Sequence, residues 1–280
     1  MPDLFPLAEP LLDLCFEAGE KILEHYNAPH ADQFEAKKDD SPLTRADIDS
    51  HRILVDGLAR LDWAWPVLSE ESGDEVLAQR RSWEQFWLVD PLDGTREFLE
   101  RTGEFTINVA LVDQHAPVLG LLYQPIARIA HLGIVGRGVW RFSLDANDHL
   151  QREVVGCRAL PEQGPLALLA SRRHGGDRLV GFLEWLEARG YEIERHNSGS
   201  ALKFCQMADG EGDVYPRFYP CCEWDVAAGQ AIVEAAGGAV LGLDGRPLRY
   251  NTGDSLLSPH FYALSQPDHT LWQALWDAHG

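Results

Sequence analysis

Asp90 and Asp93 stand three residues apart where the apolar run Trp87-Leu88-Val89 ends, and the segment Asp90-Pro91-Leu92-Asp93-Gly94-Thr95 closes with a glycine and a hydroxyl. Carboxylates gathered at a strand end suit Mg²⁺, which takes oxygen ligands and keeps waters or substrate phosphates in its remaining positions. Pro91 and Gly94 force a turn, and Thr95 can cap a helix that begins at Arg96. The plain alternative is an acidic turn beside a helix cap. Two further acidic clusters argue against it. Glu70-Glu71 follows a short strand over residues 66–69, and Glu223-Trp224-Asp225 opens an amphipathic helix over residues 226–236 that stops at Gly237-Gly238. Taken alone, Asp225 reads as a helix cap; three such clusters, each at the end of an apolar run, read as one metal site.

Basic residues are scarce and uneven. Of 24 lysines and arginines, twenty are arginine, and after Lys38 the only lysine is Lys203. A compact ammonium suits a phosphate as a point charge. Ser200, three residues earlier at a predicted helix start, would share a helix face with it.

These groups need a frame to position them. Helical spacing of Leu7, Leu11, Leu14, Cys15, Ala18 and Ile22 predicts a helix over residues 4–25, and a second is predicted over 47–61. Residues 106–112, 118–123, 129–135 and 139–142 read as an antiparallel meander, closed by a polar turn at 145–148. Strands then alternate with helices: strand 166–170, helix 177–188, strand 191–194, helix 200–208, strand 213–215 and the helix at Asp225. The expectation is an α+β first half (1–155) with an antiparallel sheet, and an α/β second half (156–280) that completes the active site.

Composition bounds the function classes. The 280 residues, 45% hydrophobic and 24% charged, suffice for a large core. A net charge of -20 weighs against nucleic acid and anionic membrane as partners, since both attract basic patches. No run of about 20 apolar residues is present, so no transmembrane segment is expected. The N-terminus lacks the order of a secretion signal, so the expected location is cytoplasmic, with peripheral association at the inner membrane face left open. Five cysteines without zinc-ligand spacing read as reduced thiols. The oligomeric state is left open by the sequence.

The acidic clusters, with the runs from Lys38 to Asp47, Ser171-Arg172-Arg173-His174, Gly199-Ser200-Ala201-Leu202-Lys203-Phe204-Cys205 and Tyr215-Pro216-Arg217-Phe218, resemble the inositol monophosphatase superfamily. Within it they resemble the CysQ-type 3'(2'),5'-bisphosphate nucleotidases. The match extends from the first helix to Gly245-Arg246-Pro247-Leu248. It implies a layered αβαβα sugar-phosphatase-like architecture and a lithium-sensitive enzyme holding two Mg²⁺ ions, with a third near Glu70 in some members. By this resemblance Glu70, Asp90 and the Leu92 carbonyl hold the first metal, Asp90, Asp93 and Asp225 the second, and Glu71 stands behind them. Asp47 and Thr95 activate the water, with Thr44 in support and Glu70 counted in the catalytic set. Asp93, Gly94, Thr95 and Asp225 surround the scissile phosphate. Ser200, Lys203 and Arg217 form a pocket for a second, uncleaved phosphate, and His174 lies near the nucleotide. Cys221-Cys222-Glu223 departs from the family, where small polar residues are more usual before the Trp-Asp step.

The implied reaction removes the 3'-phosphate of adenosine 3',5'-bisphosphate, a by-product of sulfate activation, by in-line attack of water. The alternative within the same chemistry is an inositol or sugar phosphate, which has no use for a second anion pocket. A nucleotide sensor without catalysis has nothing in its favour, because the four metal carboxylates and the Asp47/Thr95 pair are all present.

Overall fold

Strands whose residues are apolar on both sides need a cover on each face, and the computed structural model of the chain supplies two. It describes residues 3–29, 34–36, 42–145, 147, 149–162, 164–172 and 176–279. Helix α1 (Ala8–Asn27) precedes the short antiparallel pair β1 (Glu35–Ala36) and β2 (Pro42–Leu43), and α2 (Arg45–Leu58) follows. A seven-stranded sheet then runs in sequence order through β3 (Val67–Ser69), β4 (Gln85–Asp93), β5 (Thr106–Asp113), β6 (Ala116–Gln124), β7 (Ile129–Ile134), β8 (Gly138–Leu144) and β9 (Leu150–Val155). Short helices α3 (Asp74–Gln79) and α4 (Thr95–Leu99) flank β4. The β3/β4 pair is parallel and the other pairs of this sheet are antiparallel.

The second half contributes β10 (Leu166–Ala170), α5 (Asp177–Glu187), β11 (Ile193–Asn197), α6 (Leu202–Ala208), β12 (Val214–Arg217), α7 (Glu223–Ala235), β13 (Ala239–Gly242), β14 (Phe261–Leu264) and α8 (Thr270–His279). Its five strands are ordered β11-β10-β12-β14-β13.

Alternation assigns the layers. Trp87, Val89, Ile107, Val109 and Leu111 pack with α1 and α2, whereas Phe86, Leu88, Ala110 and Val112 face α6 and α7. On the second sheet, Tyr215, Phe261 and Ala263 meet α6 and α7, while Leu168, Val214 and Leu264 pack against α5 and α8. The result is the expected αβαβα stack, with α6 and α7 shared between the sheets. Helix α7 lies directly on β6: a Cβ on Gly120 would stand 2.1 Å from the Ala228 carbonyl oxygen, so only glycine fits there.

Two details were not anticipated. In the second half β14 runs antiparallel to both β12 and β13, so that sheet is mixed. Strand β9 was not expected; all its residues but Val155 are exposed, so it lacks the apolar alternation that marks the other strands.

Candidate active site

The site forms where β4 breaks its register. Asp90 pairs with Asn108 and Asp93 with Thr106, so three steps along β4 match two along β5. In a regular strand, residues three apart point to opposite faces. The extra residue in this bulge turns Asp93 back to the face that carries Asp90 and looks toward α7. Ligand oxygens of Asp90, Asp93 and Asp225 lie within 4.8 Å of one another. Glu70, directly after β3, adds its charge to the cluster and raises the pKa of both Asp90 and Asp225.

Each carboxylate is oriented by a bond that leaves it free to bind a cation. Asp90, buried, accepts from the Leu92 N–H at 3.0 Å. Asp225 sits in the first turn of α7 and accepts from the Cys222 N–H at 2.8 Å, so it is both helix cap and cluster member. Asp93 accepts from Ser200 Oγ at 2.7 Å. Burial first, and then the neighbouring carboxylates, hold the Asp90 pKa well above the usual range and push Asp225 up to about 8. Groups so disposed gain a divalent cation far more readily than they keep several negative charges without one, and an all-oxygen donor set fits Mg²⁺.

Asp47 and Thr95, 48 residues apart, meet with Thr95 Oγ1 3.2 Å from Asp47 Oδ1. The second oxygen of Asp47 accepts from the Thr44 N–H at 2.7 Å and the Thr44 hydroxyl at 2.5 Å, which completes a capping box at the start of α2. Asp47 is therefore buried and fixed, with Oδ1 at the Thr95 hydroxyl and Oδ2 at Thr44. Ser50 of the same helix donates to the Pro91 carbonyl at 2.7 Å, which ties α2 to the metal loop. Gly94 adopts φ +94 and caps α4, so Gly94 and Thr95 stand at a helix start whose first N–H groups lack helical partners.

Beside the carboxylates a cavity of about 130 Å³ is lined by Asp93, Gly94, Ser200, Lys203, Arg217 and Asp225, among others. Lys203 lies in the wall of this cavity, where its backbone contacts fix its ammonium. Its ammonium donates to the carbonyls of Ser198 at 2.9 Å, Gly199 at 3.3 Å and Ser200 at 2.7 Å, and the residue is only 1% exposed. All three ammonium donors are thus engaged by carbonyls of the loop that precedes α6. Burial, and then the Arg217 cation, lower its pKa to about 8. Ser200 likewise points its hydroxyl at Asp93, and it precedes α6 in the left-handed region at φ +47. Arg217 is half-buried, with its guanidinium near enough to Asp93 and Asp225 to interact with both charges. Burial pushes the Cys221 thiol up to about 12, so this cavity-wall cysteine stays protonated. His174 lies outside the described residues.

Three contributors were not singled out from the sequence. Thr106 and Asn108, buried on the α7-facing side of β5, connect to Ser200: Thr106 Oγ1 is 2.7 Å from both Asn108 Oδ1 and Ser200 Oγ. Their signal was available, since two polar residues interrupt an apolar strand at a spacing of two. Glu104 accepts from the Gly199 N–H at 2.8 Å and from Arg172 at 2.6 Å; nothing in its local sequence marks it.

Comparison with known proteins follows the same outline. A model of the inositol monophosphatase family matches residues 3–279. A Salmonella typhimurium protein named 3'(2'),5'-bisphosphate nucleotidase CysQ is 38% identical over 255 residues, covering 91% of this chain and 98% of its own. The protein of the same name from Escherichia coli K12 is 37% identical over 257 residues, with the same shares covered. Among solved structures, CysQ from Bacteroides thetaiotaomicron superposes with a TM-score of 0.79 at 36% identity, over 94% of this chain and 99% of that one.

Proposed function

The chain belongs to the inositol monophosphatase family, and within it we propose that this protein is a 3'(2'),5'-bisphosphate nucleotidase, hydrolysing adenosine 3',5'-bisphosphate to AMP and phosphate. The single observation that carries the chemistry is the convergence of Asp90, Asp93 and Asp225 within 4.8 Å beside the Asp47–Thr95 pair. The names of relatives at 37–38% identity support the substrate class.

Glu70, Asp90, the Leu92 carbonyl, Asp93 and Asp225 would hold the metal, two Mg²⁺ per site and, as the family resemblance implies for some members, a third near Glu70. Bound there, Mg²⁺ lowers the pKa of a coordinated water and draws charge from the departing oxygen. Asp47 polarises the Thr95 hydroxyl, and through it accepts the proton of the attacking water. The water oxygen bonds to phosphorus as the bond to the 3'-oxygen breaks, and that oxygen leaves to become the product hydroxyl. The N–H groups at the start of α4 face the phosphate oxygens, and Ser200, Lys203 and Arg217, all in the cavity wall, meet the second phosphate. His174 remains part of the proposed nucleotide pocket.

Three of the carboxylates precede residue 155 and Asp225 follows it, which supports a division there with both halves needed for activity. Lithium sensitivity and a cytoplasmic location go with this reading. All five cysteines are free, which suits a reducing compartment. Among the described residues no helix is long and apolar enough to cross a membrane.

The test is phosphate release, with Mg²⁺, from adenosine 3',5'-bisphosphate, inositol 1-phosphate and fructose 1,6-bisphosphate in parallel. The bisphosphate nucleotide should be cleaved with the highest kcat/KM; preference for either of the others would overturn the substrate assignment.

A further inference from the structure

Between β13 and β14, residues 243–260 contain no helix or strand, and a connection of that length needs tethers from elsewhere in the fold. Its part 250–258 runs along the start of α7. The Glu223 N–H donates to the Leu256 carbonyl at 2.8 Å, the Ser258 N–H donates to the Cys221 carbonyl at 2.8 Å, and Cys222 forms an antiparallel bridge with Leu257. Cys222 is also the residue whose N–H orients Asp225. What holds this segment in turn comes from the first half of the chain. Arg80, directly after α3 and only 5% exposed, donates to Asn251 Oδ1 at 2.5 Å and to the carbonyls of Gly253 at 3.1 Å and Asp254 at 2.6 Å. Asn251 Nδ2 donates back to the Arg80 carbonyl at 2.6 Å, and the Asn251 N–H donates to Oε2 of the buried Glu223 at 2.7 Å. The φ of Asn251, +55, is in the left-handed region, which asparagine tolerates better than most residues.

We propose that Arg80 is a positioning residue for the metal site: with Asn251 and Glu223 it clamps the 250–258 segment onto residues 221–223, and so fixes the first turn of α7 that presents Asp225. The inference rests on the phosphatase reading above and deepens it. A guanidinium suits the task, since its planar fork reaches one side-chain oxygen and two backbone carbonyls at once. The first half of the chain, which holds the other three metal carboxylates, thereby gains a hold on the fourth. Losing an outer contact of a metal ligand costs on the order of ten- to a hundredfold in metal affinity. Arg80 acts through the segment and not on Asp225 itself, which places it at the lower end of that range.

The experiment measures Mn²⁺ binding by electron paramagnetic resonance, well below Tm, for the wild type, Arg80→Met, Asn251→Gly and Arg81→Ala, with Tm recorded in EDTA for each. Arg80→Met keeps an apolar stem and removes the donors, and Asn251→Gly keeps the left-handed backbone and removes the amide. Arg81→Ala is the control, because it removes only an exposed ion pair to the same segment, Arg81 to Asp254 at 3.3 Å. The first two variants should bind Mn²⁺ about tenfold more weakly, and Arg81→Ala should match the wild type. Phosphate release at limiting Mg²⁺ should fall by the same factor in those two and recover toward the wild type as Mg²⁺ saturates. Wild-type Mn²⁺ affinity in both would overturn the positioning role, and a lower Tm beside it would leave the clamp as a brace for the fold alone. An equal loss in Arg81→Ala would overturn it as well. Asn251→Gly leaves Arg80 in place, so it decides the matter if Arg80→Met folds poorly. Because Mn²⁺ binding needs no substrate, a wild type that prefers inositol 1-phosphate would overturn the nucleotidase reading and leave this result standing.

Discussion

Replacing Asp90 with asparagine should separate stability from activity, with the two moving in opposite directions. Asp90 is buried, and its pKa is held well above the usual carboxylate range by burial, then Glu70, Asp93 and Asp225. Two full negative charges at such a separation repel by about 3–4 kcal/mol at an effective dielectric constant near 20. Partial protonation already relieves most of that in the metal-free protein, so the amide recovers about 1 kcal/mol. The amide oxygen can keep the 3.0 Å bond from the Leu92 N–H, so the loop retains its shape. Unfolding entropies scale with length, and for a chain of this size 1 kcal/mol corresponds to about 2 °C in Tm. With Mg²⁺ the order reverses: the wild type gains stability by mass action and the variant gains little. Turnover should fall on the order of a hundred- to a thousandfold, the usual loss when one preorganised electrostatic contact is removed. Differential scanning fluorimetry with EDTA and with Mg²⁺, together with phosphate release at saturating Mg²⁺, checks each part. A variant that keeps a tenth of the wild-type rate, or gains as much Tm from Mg²⁺ as the wild type, would refute the role given to Asp90.

The same cluster predicts a pH dependence. The Asp225 pKa is raised to about 8 from an ordinary value of 3.8, and burial raises Glu223 to about 7. A carboxyl whose folded pKa is raised stabilises the fold below its unfolded pKa and loses that contribution as pH climbs through the folded value. In EDTA, Tm should therefore fall from about pH 5 to pH 8, and the increment from Mg²⁺ should grow over the same window; a flat profile in EDTA would contradict the buried, repelling cluster. Asp47→Asn and Thr95→Ala should each lower kcat about a hundredfold or more, and the double variant should be hardly worse than either, because the two act as one unit. Additive losses in that cycle would show that the 3.2 Å contact is not functional.

What the sequence disclosed about this site follows from what residue types can carry. Asp90-Pro91-Leu92-Asp93-Gly94-Thr95 announces carboxylates, a turn and a cap, since each property belongs to its residue alone. The meander from β5 to β8 was legible for the same reason, its turns being short and its strands long and apolar. Strands β13 and β14 and helix α8 were not anticipated: the strands are four residues each, too short for a period to show. The β4 bulge was also silent, because one added residue leaves no mark until the partner strand is known.

Lys203 shows where the limit lies. Three residues from Ser200, it invited the inference that both share a helix face, yet α6 begins at Leu202 and Ser200 lies outside it in a left-handed conformation. Spacing of three predicts proximity only within a continuous helix. Here the two residues are still coupled, though through the Ser200 carbonyl and not through side chains on one face, and the coupling turns the ammonium inward. Residue identity thus marked the right cavity but not the backbone contacts that the ammonium makes there. In so acidic a protein, a bound metal would supply much of the attraction for a phosphate ester.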